Sequence, residues 1–198
     1  MKQADFIAAL KMVSHAAALK EIRYYLNGVF LEWDGILLSV VGADGHRMAV
    51  AQLNYGEKLL DKPVCVIIPT AQVKLLLSAP KTVGDVALAF PEQHKAEITM
   101  AGQVFAIQGA EGRFPDWRRV GPESAQTSIA DSPVTAIGFN AVYVAEACAA
   151  LAKVANRKYQ GVKLILRGSN EAMRFEAGLA GNHPSLVNAY CIVSPMRI

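Results

Sequence analysis

The chain has 198 residues, 53% hydrophobic and 19% charged, a balance that buries a core easily and excludes wholesale disorder. Its net charge of +3 is spread thinly: residues 1–61 carry 6 basic and 7 acidic groups, residues 62–120 carry 7 and 5, and residues 121–198 carry 7 and 5, so no basic tail exists. No membrane span is expected, because the most apolar stretch, Val64 to Ala79, is broken by Pro69, Gln72 and Lys74, and the MKQADF start lacks the apolar core of a secretory signal; both point to the cytoplasm.

In chain order, the apolar spacing of Phe6, Leu10, Val13 and Ala17 predicts a helix from Asp5 to about Ala18. Two alternating runs follow, Tyr25–Glu32 and Ile36–Leu53, punctuated by Gly28, Asp34-Gly35 and a further Asp44-Gly45 turn. A second round opens with a short buried strand, VCVIIP. A helix then starts at Pro69-Thr70, with Thr70 as N-cap and Val73, Leu76 and Leu77 as its apolar face, and ends at Pro80. Strands are expected at Val86–Phe90, Ala96–Met100 and Gln103–Gln108. The third round begins with a strand at Val134–Phe139. Asn140 then caps an alanine-rich helix to about Ala155, with Val144, Ala147, Leu151 and Val154 on its apolar face. Strands close the chain at Val162–Arg167, Ala172–Ala177 and Leu186–Val193.

One helix against three or four mostly antiparallel strands, three times over, is an α+β arrangement of three βαβββ-type units. Helices lie on one face, sheet on the other, and each helix keeps one face free. Residues 5–18, 70–81 and 140–158 together sum to +4 and the remainder of the chain to −1. Two readings stand side by side. Lys81, Lys153, Arg157 and Lys158 complement helix C-terminal dipoles, or the helices present a thin positive surface to a polyanion.

Catalytic chemistry is hard to find. No phosphate-binding loop, dinucleotide fingerprint or nucleophile elbow occurs. His15, His46, His94 and His183 show no metal-binding spacing, so neither metal nor cofactor is expected. The three cysteines, Cys65, Cys148 and Cys191, sit far apart among apolar neighbours and read as small buried hydrophobes. An enzyme is not the expected function.

Five strings carry a resemblance: RYYLNGVFLE (23–32), GADGHRMAV (42–50), GRFPDWRRV (112–120), IGFNAVYV (137–144) and IVSPMRI (192–198). In this order they resemble the beta sliding clamp of bacterial DNA polymerase III. The resemblance implies the DNA clamp fold and a processivity factor, a ring with helices inside and sheet outside. It also implies a pocket for peptides of DNA polymerase and of the clamp loader. By motif position this would comprise Leu26, Ala43, Gly45, His46, Arg47, Met48, Pro115, Arg119, Val120, Ile192, Val193, Pro195, Met196 and Arg197. Apolar members suit leucine- or phenylalanine-type anchors of an extended peptide, and methionine adapts to several ligands. Ala43 stands where the family commonly has threonine, and Ser194 where it commonly has methionine.

Double-stranded DNA, bound without sequence preference, is the second implied partner. Lys20, Arg23, Tyr24 and Tyr25 match the family's DNA-facing loop, where a cation pairs with phosphate and a tyrosine stacks on a base. Lys11, Lys74, Lys81, Lys153, Arg157 and Lys158 are the helix-side candidates.

The family's chain has three domains of two units each, whereas this chain has three units. Residues 1–120 resemble a complete middle domain and residues 121–198 the second half of the last. Twelve units make the family's ring, so four copies of this chain are needed, and an odd unit count favours two-fold contacts and a tetramer with dihedral symmetry. The competing expectation is a clamp-like adaptor or competitor, which binds the same peptides, or a full-length clamp, without encircling DNA.

Overall fold

The computed structural model describes residues 1–56, 60, 62–121, 136–156, 158–166, 168, 170–179, 181 and 183–196. The order is α1 (Gln3–Ser14), β1 (Gly28–Trp33), β2 (Leu38–Ala43), β3 (Arg47–Leu53), β4 (Val64–Pro69), α2 (Thr70–Ser78), β5 (Ala87–Ala89), β6 (Lys95–Met100), β7 (Gln103–Gln108), α3 (Ala141–Ala152), β8 (Val162–Ile165), β9 (Met173–Ala177) and β10 (Leu186–Val193). Short 3-10 turns cover Tyr24–Leu26 and Trp117–Arg119. The α+β expectation holds: β4-β1-β2-β3-β10-β9-β8 form a seven-stranded sheet and β5-β6-β7 a second one, every pairing antiparallel.

Alternation along the strands sends side chains to both faces of the large sheet. Val29, Leu31 and Trp33 of β1, Ala49, Ala51 and Leu53 of β3, and Ala189, Cys191 and Val193 of β10 face the helices in one continuous core. The intervening Phe30, Met48, Val50, Tyr190 and Ile192 build a second cluster on the opposite face. With both faces apolar, the sheet has to be covered twice. Helix α1 lies closest of all: a Cβ on Gly42 of β2 would stand 2.3 Å from the Val13 carbonyl oxygen.

The central pairing joins the first unit to the third. β3 and β10 run antiparallel from Leu53↔Leu186 to Arg47↔Val193. A buried polar link reinforces it. Asp5, in the first turn of α1 and only 1% exposed, accepts from Ser185 N at 2.9 Å and pairs with His183 Nδ1 at 3.0 Å.

Several expectations need correction. Thr70 is the first residue of α2 rather than its cap, and its hydroxyl donates to the Asn27 carbonyl at 3.0 Å. Helices α1 and α3 stop short of Ala18 and Ala155, as Ser14 and Ala152 end them. Lys153 is therefore the C-cap of α3 rather than an interior residue, and Lys81 lies beyond α2, which ends at Ser78. Asn140 caps α3 as expected, accepting from Val142 N and Tyr143 N. Of the strand expected at Val134–Phe139, residues 136–139 form no strand, and the rest lies outside the described residues. Cys191 is buried but Cys65 is exposed, because it sits on the edge strand β4 away from the core. Among the described residues no helix is long and apolar enough to cross a membrane.

Candidate functional site

The second cluster is covered by the segment after β7. Phe114 stacks on Phe30 with ring centroids 4.6 Å apart, and Trp117 is 4% exposed. Trp117 Nε1 donates to Glu32 Oε2 at 3.1 Å, and Arg118 bonds Glu32 and Asp34 while lying 4.1 Å over the Trp117 ring. Burial of Asp34 opposes ionisation, yet the Leu37 and Ile36 N–H groups and Arg118 outweigh it and hold this carboxyl below its ordinary range. The cover is thus clamped to β1 by charge-assisted bonds as well as by ring packing.

The cover is incomplete. Leu26, Ala43, Gly45, Arg47, Met48, Phe114, Pro115, Trp117, Val120 and Ile192, with Arg23 and Ser194, line a cleft of about 120 Å³. A second hollow of about 290 Å³ adjoins it through Ser194 and is walled by His46, Asn140, Tyr143, Pro195 and Met196. The tail that divides them is tied down, since Ser194 N donates to His46 O at 2.9 Å and Met196 N to Gly138 O at 2.8 Å. Gly45, at φ +92°, closes the Asp44 turn, and Asp44 Oδ1 accepts from His46 N and Arg47 N. Arg47 bridges this turn to α3: Nε bonds Asp44 at 3.0 Å, Nη1 bonds Glu146, and the guanidinium lies 4.4 Å over Tyr143. Burial would lower its affinity for protons, but these two carboxylates more than reverse that.

Most of the residues singled out by sequence thus converge on two adjoining hollows. Three do not fit that pattern. Val193 is fully buried toward the helices, because its β10 parity puts it on the other face. Arg119 turns outward, 86% exposed at its side chain and paired with Asp116. Arg197 lies outside the described residues. Sequence reasoning missed Phe114, Trp117, Ser194, Asn140 and Tyr143. The aromatic pair stood within the quoted GRFPDWRRV string, and only its packing against Phe30 shows what it does.

On the opposite face, Lys11, Lys81 and Lys153 surround a groove of about 290 Å³ floored by Ile7, Ala8 and Leu77. Lys74 is exposed on α2 outside this groove, and Lys158 lies 5.2 Å over the Tyr159 ring beyond α3. Lys20 is exposed, Tyr24 is 56% exposed, and Tyr25 packs half-buried against the second cluster. Arg23 lines the apolar cleft and pairs with Glu21 at 3.2 Å, so it belongs to the cleft side of the molecule rather than to the helix face. Arg157 lies outside the described residues. Among the described residues no group of His, Cys, Asp and Glu is arranged to hold a metal ion.

Comparison with known proteins places this architecture. Residues 1–116 match the family described as DNA polymerase III beta subunit, central domain. The beta sliding clamp of Vibrio cholerae is 31% identical over 181 residues, covering 89% of this chain and 45% of that protein. That of Pseudomonas aeruginosa is 29% identical, covering 83% and 42%. The chain thus spans less than half the length of these curated relatives. Among solved structures, the Helicobacter pylori beta clamp in complex with carprofen superposes with a TM-score of 0.74 at 15% identity, over 98% of this chain and 64% of that one. A Pseudomonas aeruginosa clamp bound to griselimycin gives 0.68 at 23%, over 100% and 64%. With more than half its length matched and the clamp fold in place, the chain belongs to the DNA polymerase III beta subunit family.

Proposed function

We propose that the chain is a sliding clamp subunit, a processivity factor that tethers DNA polymerase and other replication proteins to duplex DNA. The observation that carries this reading is the separation of two surfaces by one sheet. An apolar cleft lies on one side, with an adjoining hollow that reaches Asn140 and Tyr143 at the start of α3, and a lysine-rimmed helix groove lies on the other. Extended peptides with large apolar anchors suit the first, through Leu26, Met48, Val120, Ile192 and Met196. Sparse cations suit the second, where weak phosphate contacts allow sliding. Residues 1–120 would form a complete two-unit domain and residues 121–198 a half domain. Four chains would then supply the twelve units of the ring.

Retention on circular DNA with release after a single cut tests the ring directly. Loss of retention on cutting supports it, and equal retention on both forms counts against it. Met196→Ala combined with Met48→Ala should weaken a polymerase-tail peptide about tenfold or more without changing oligomer size. Unchanged affinity would reject the cleft assignment.

A second reading has its own support. The cleft is complete within one chain, so peptide capture does not require a ring. An adaptor or competitor of a full-length clamp would bind the peptide with the same affinity and show no topological retention.

A further inference from the structure

The seven-stranded sheet has an approximate two-fold plan that is one strand short. β3 and β10 pair at its centre, and each is followed outward by the other two strands of its own unit. On one side a fourth strand completes the edge. This is β4, which belongs to the next unit and leads straight into α2. On the other side β8 has no outer neighbour among the described residues.

The chain itself shows what fills such a place. Residues ahead of one unit's helix pair with the first strand after the other unit's helix. β4, ahead of α2, pairs with β1, and Lys2, ahead of α1, bridges to Asp85 at the entrance to β5. Val86 N donates to Met1 O at 2.8 Å and Gln3 N to Gly84 O at 3.0 Å, so this exchange is reciprocal. A unit's leading strand does not pair with its own following strand, for β4 and β5 lie in different sheets.

Residues 136–139 are the leading segment of α3, and they are seated as β4 is. Ile67 O, two residues before the Pro69 cap, accepts from Ala110 N, while Gly138 O, two residues before the Asn140 cap, accepts from Met196 N. Burial separates the two. Ile68 is fully buried, whereas Phe139 in the matching position is 41% exposed. Leu164 of β8 pairs with Phe175, which faces the helix-side core, yet Leu164 is 48% exposed while Leu31 in the corresponding strand β1 is fully buried. Helix α3 adds exposed Val142, Ala145 and Ala149 and carries a single charged residue, Glu146.

We infer that a second copy of this chain completes the third unit. Residues 136–139 of each chain add antiparallel to β8 of the other about a two-fold axis. Two third units thereby build in trans the paired-unit domain that the first and second units build in cis. The occupant is a second copy because, among the described residues, one chain offers both complementary halves, an edge with no outer strand and a leading segment that joins no sheet. Main-chain bonds along the edge supply affinity, and Phe139 and Leu164 supply apolar burial. The inference deepens the ring reading by giving the chemistry of one of its two-fold contacts.

The in-cis register Leu31↔Val66 places Ile137 of one chain opposite Leu164 of the other. Directly opposed residues of antiparallel strands stand about 4.5–5.5 Å apart, within reach of a disulfide. In a chain with Cys65, Cys148 and Cys191 replaced by serine, Ile137→Cys with Leu164→Cys should give a covalent dimer on oxidation, and neither single variant should. Ile137→Asp with Leu164→Asp should at least halve the mass by light scattering while the circular dichroism spectrum stays unchanged. A disulfide closed within one chain, or a mass unaffected by the aspartates, overturns the inference. Polymerase-tail peptide affinity is read in the same samples, since Ile137 and Leu164 line neither the cleft nor its adjoining hollow. No cross-link with peptide binding intact rejects strand exchange alone. A cross-link without peptide binding rejects the clamp reading alone.

Discussion

Asp5 is the residue on which the union of first and third units turns most sharply. A carboxylate 1% exposed has to be satisfied, and here Ser185 N and His183 do so from 178 to 180 residues away in sequence. Asp5→Ala leaves the part-buried Ser185 N–H and His183 without their partner, and should cost about 1–3 kcal/mol in denaturant unfolding; a loss within error would mean the loop finds other partners. His15 makes a second, pH-dependent case. Burial lowers its pKa below the ordinary 6.5, reinforced by Arg47 and Lys153 and opposed by its bond to the Met12 carbonyl and by Glu146. The folded state therefore prefers the neutral ring. Stability from this site is fully present above about 6.5 and is lost as pH falls through the lowered folded value, because the unfolded chain takes up the proton first. His15→Gln should flatten the decline of Tm between about pH 7.5 and 5.5, and an unaltered decline would assign it to other groups. None of these partnerships was legible in sequence. Asp5 read as a helix-start acid and His15 as a histidine without metal spacing, since both roles depend on neighbours that only the fold supplies.

At the scale of elements, legibility followed how sharply each run is bounded. β4, β7 and β10 were read to the residue, since proline, glycine or polar turns fence their apolar alternation. Helix ends overshot, because His15–Ala18 continues the apolar spacing after the backbone has left the helix at Ser14. Pairing was beyond reach: β3 and β10 are separated by most of the chain, and nothing local in Arg47–Leu53 names its partner. The cleft was legible as residue identities through the clamp resemblance, but not as a surface, which exists because Phe114 and Trp117 fold back over Phe30. The close seat of α1 on β2 is a further element-level feature. Gly42→Ala would force a methyl to 2.3 Å from the Val13 carbonyl, and main chain cannot yield as a side-chain tip can. A loss of about 1–3 kcal/mol with an unchanged denaturant slope is expected. A neutral result would show that α1 can lift off the sheet without cost.

At the scale of the molecule, the sheet insulates two surfaces whose chemistry is opposed, and this makes them separable by experiment. Lys11, Lys81 and Lys153 come from three different units of the sequence and meet at one groove, although each alone reads as an ordinary surface charge. Their convergence on one groove is what helix-dipole complementarity alone does not require: Lys11 sits in the last turn of α1 and Lys153 at the C-cap of α3, where a dipole would suffice, but Lys81 lies beyond the end of α2 and joins them. If they pair with phosphates, charge reversal at all three should reduce the slope of log affinity against log salt by about 0.9 for each duplex phosphate that is no longer neutralised. Binding of a polymerase-tail peptide should be unaffected, because Met48, Ile192 and Val120 face away across the sheet. The decisive control is the reverse pair: Met48→Ala with Met196→Ala should weaken the peptide and leave the salt slope intact. A salt slope that ignores the lysines would remove DNA from the helix face and favour the adaptor reading over the ring.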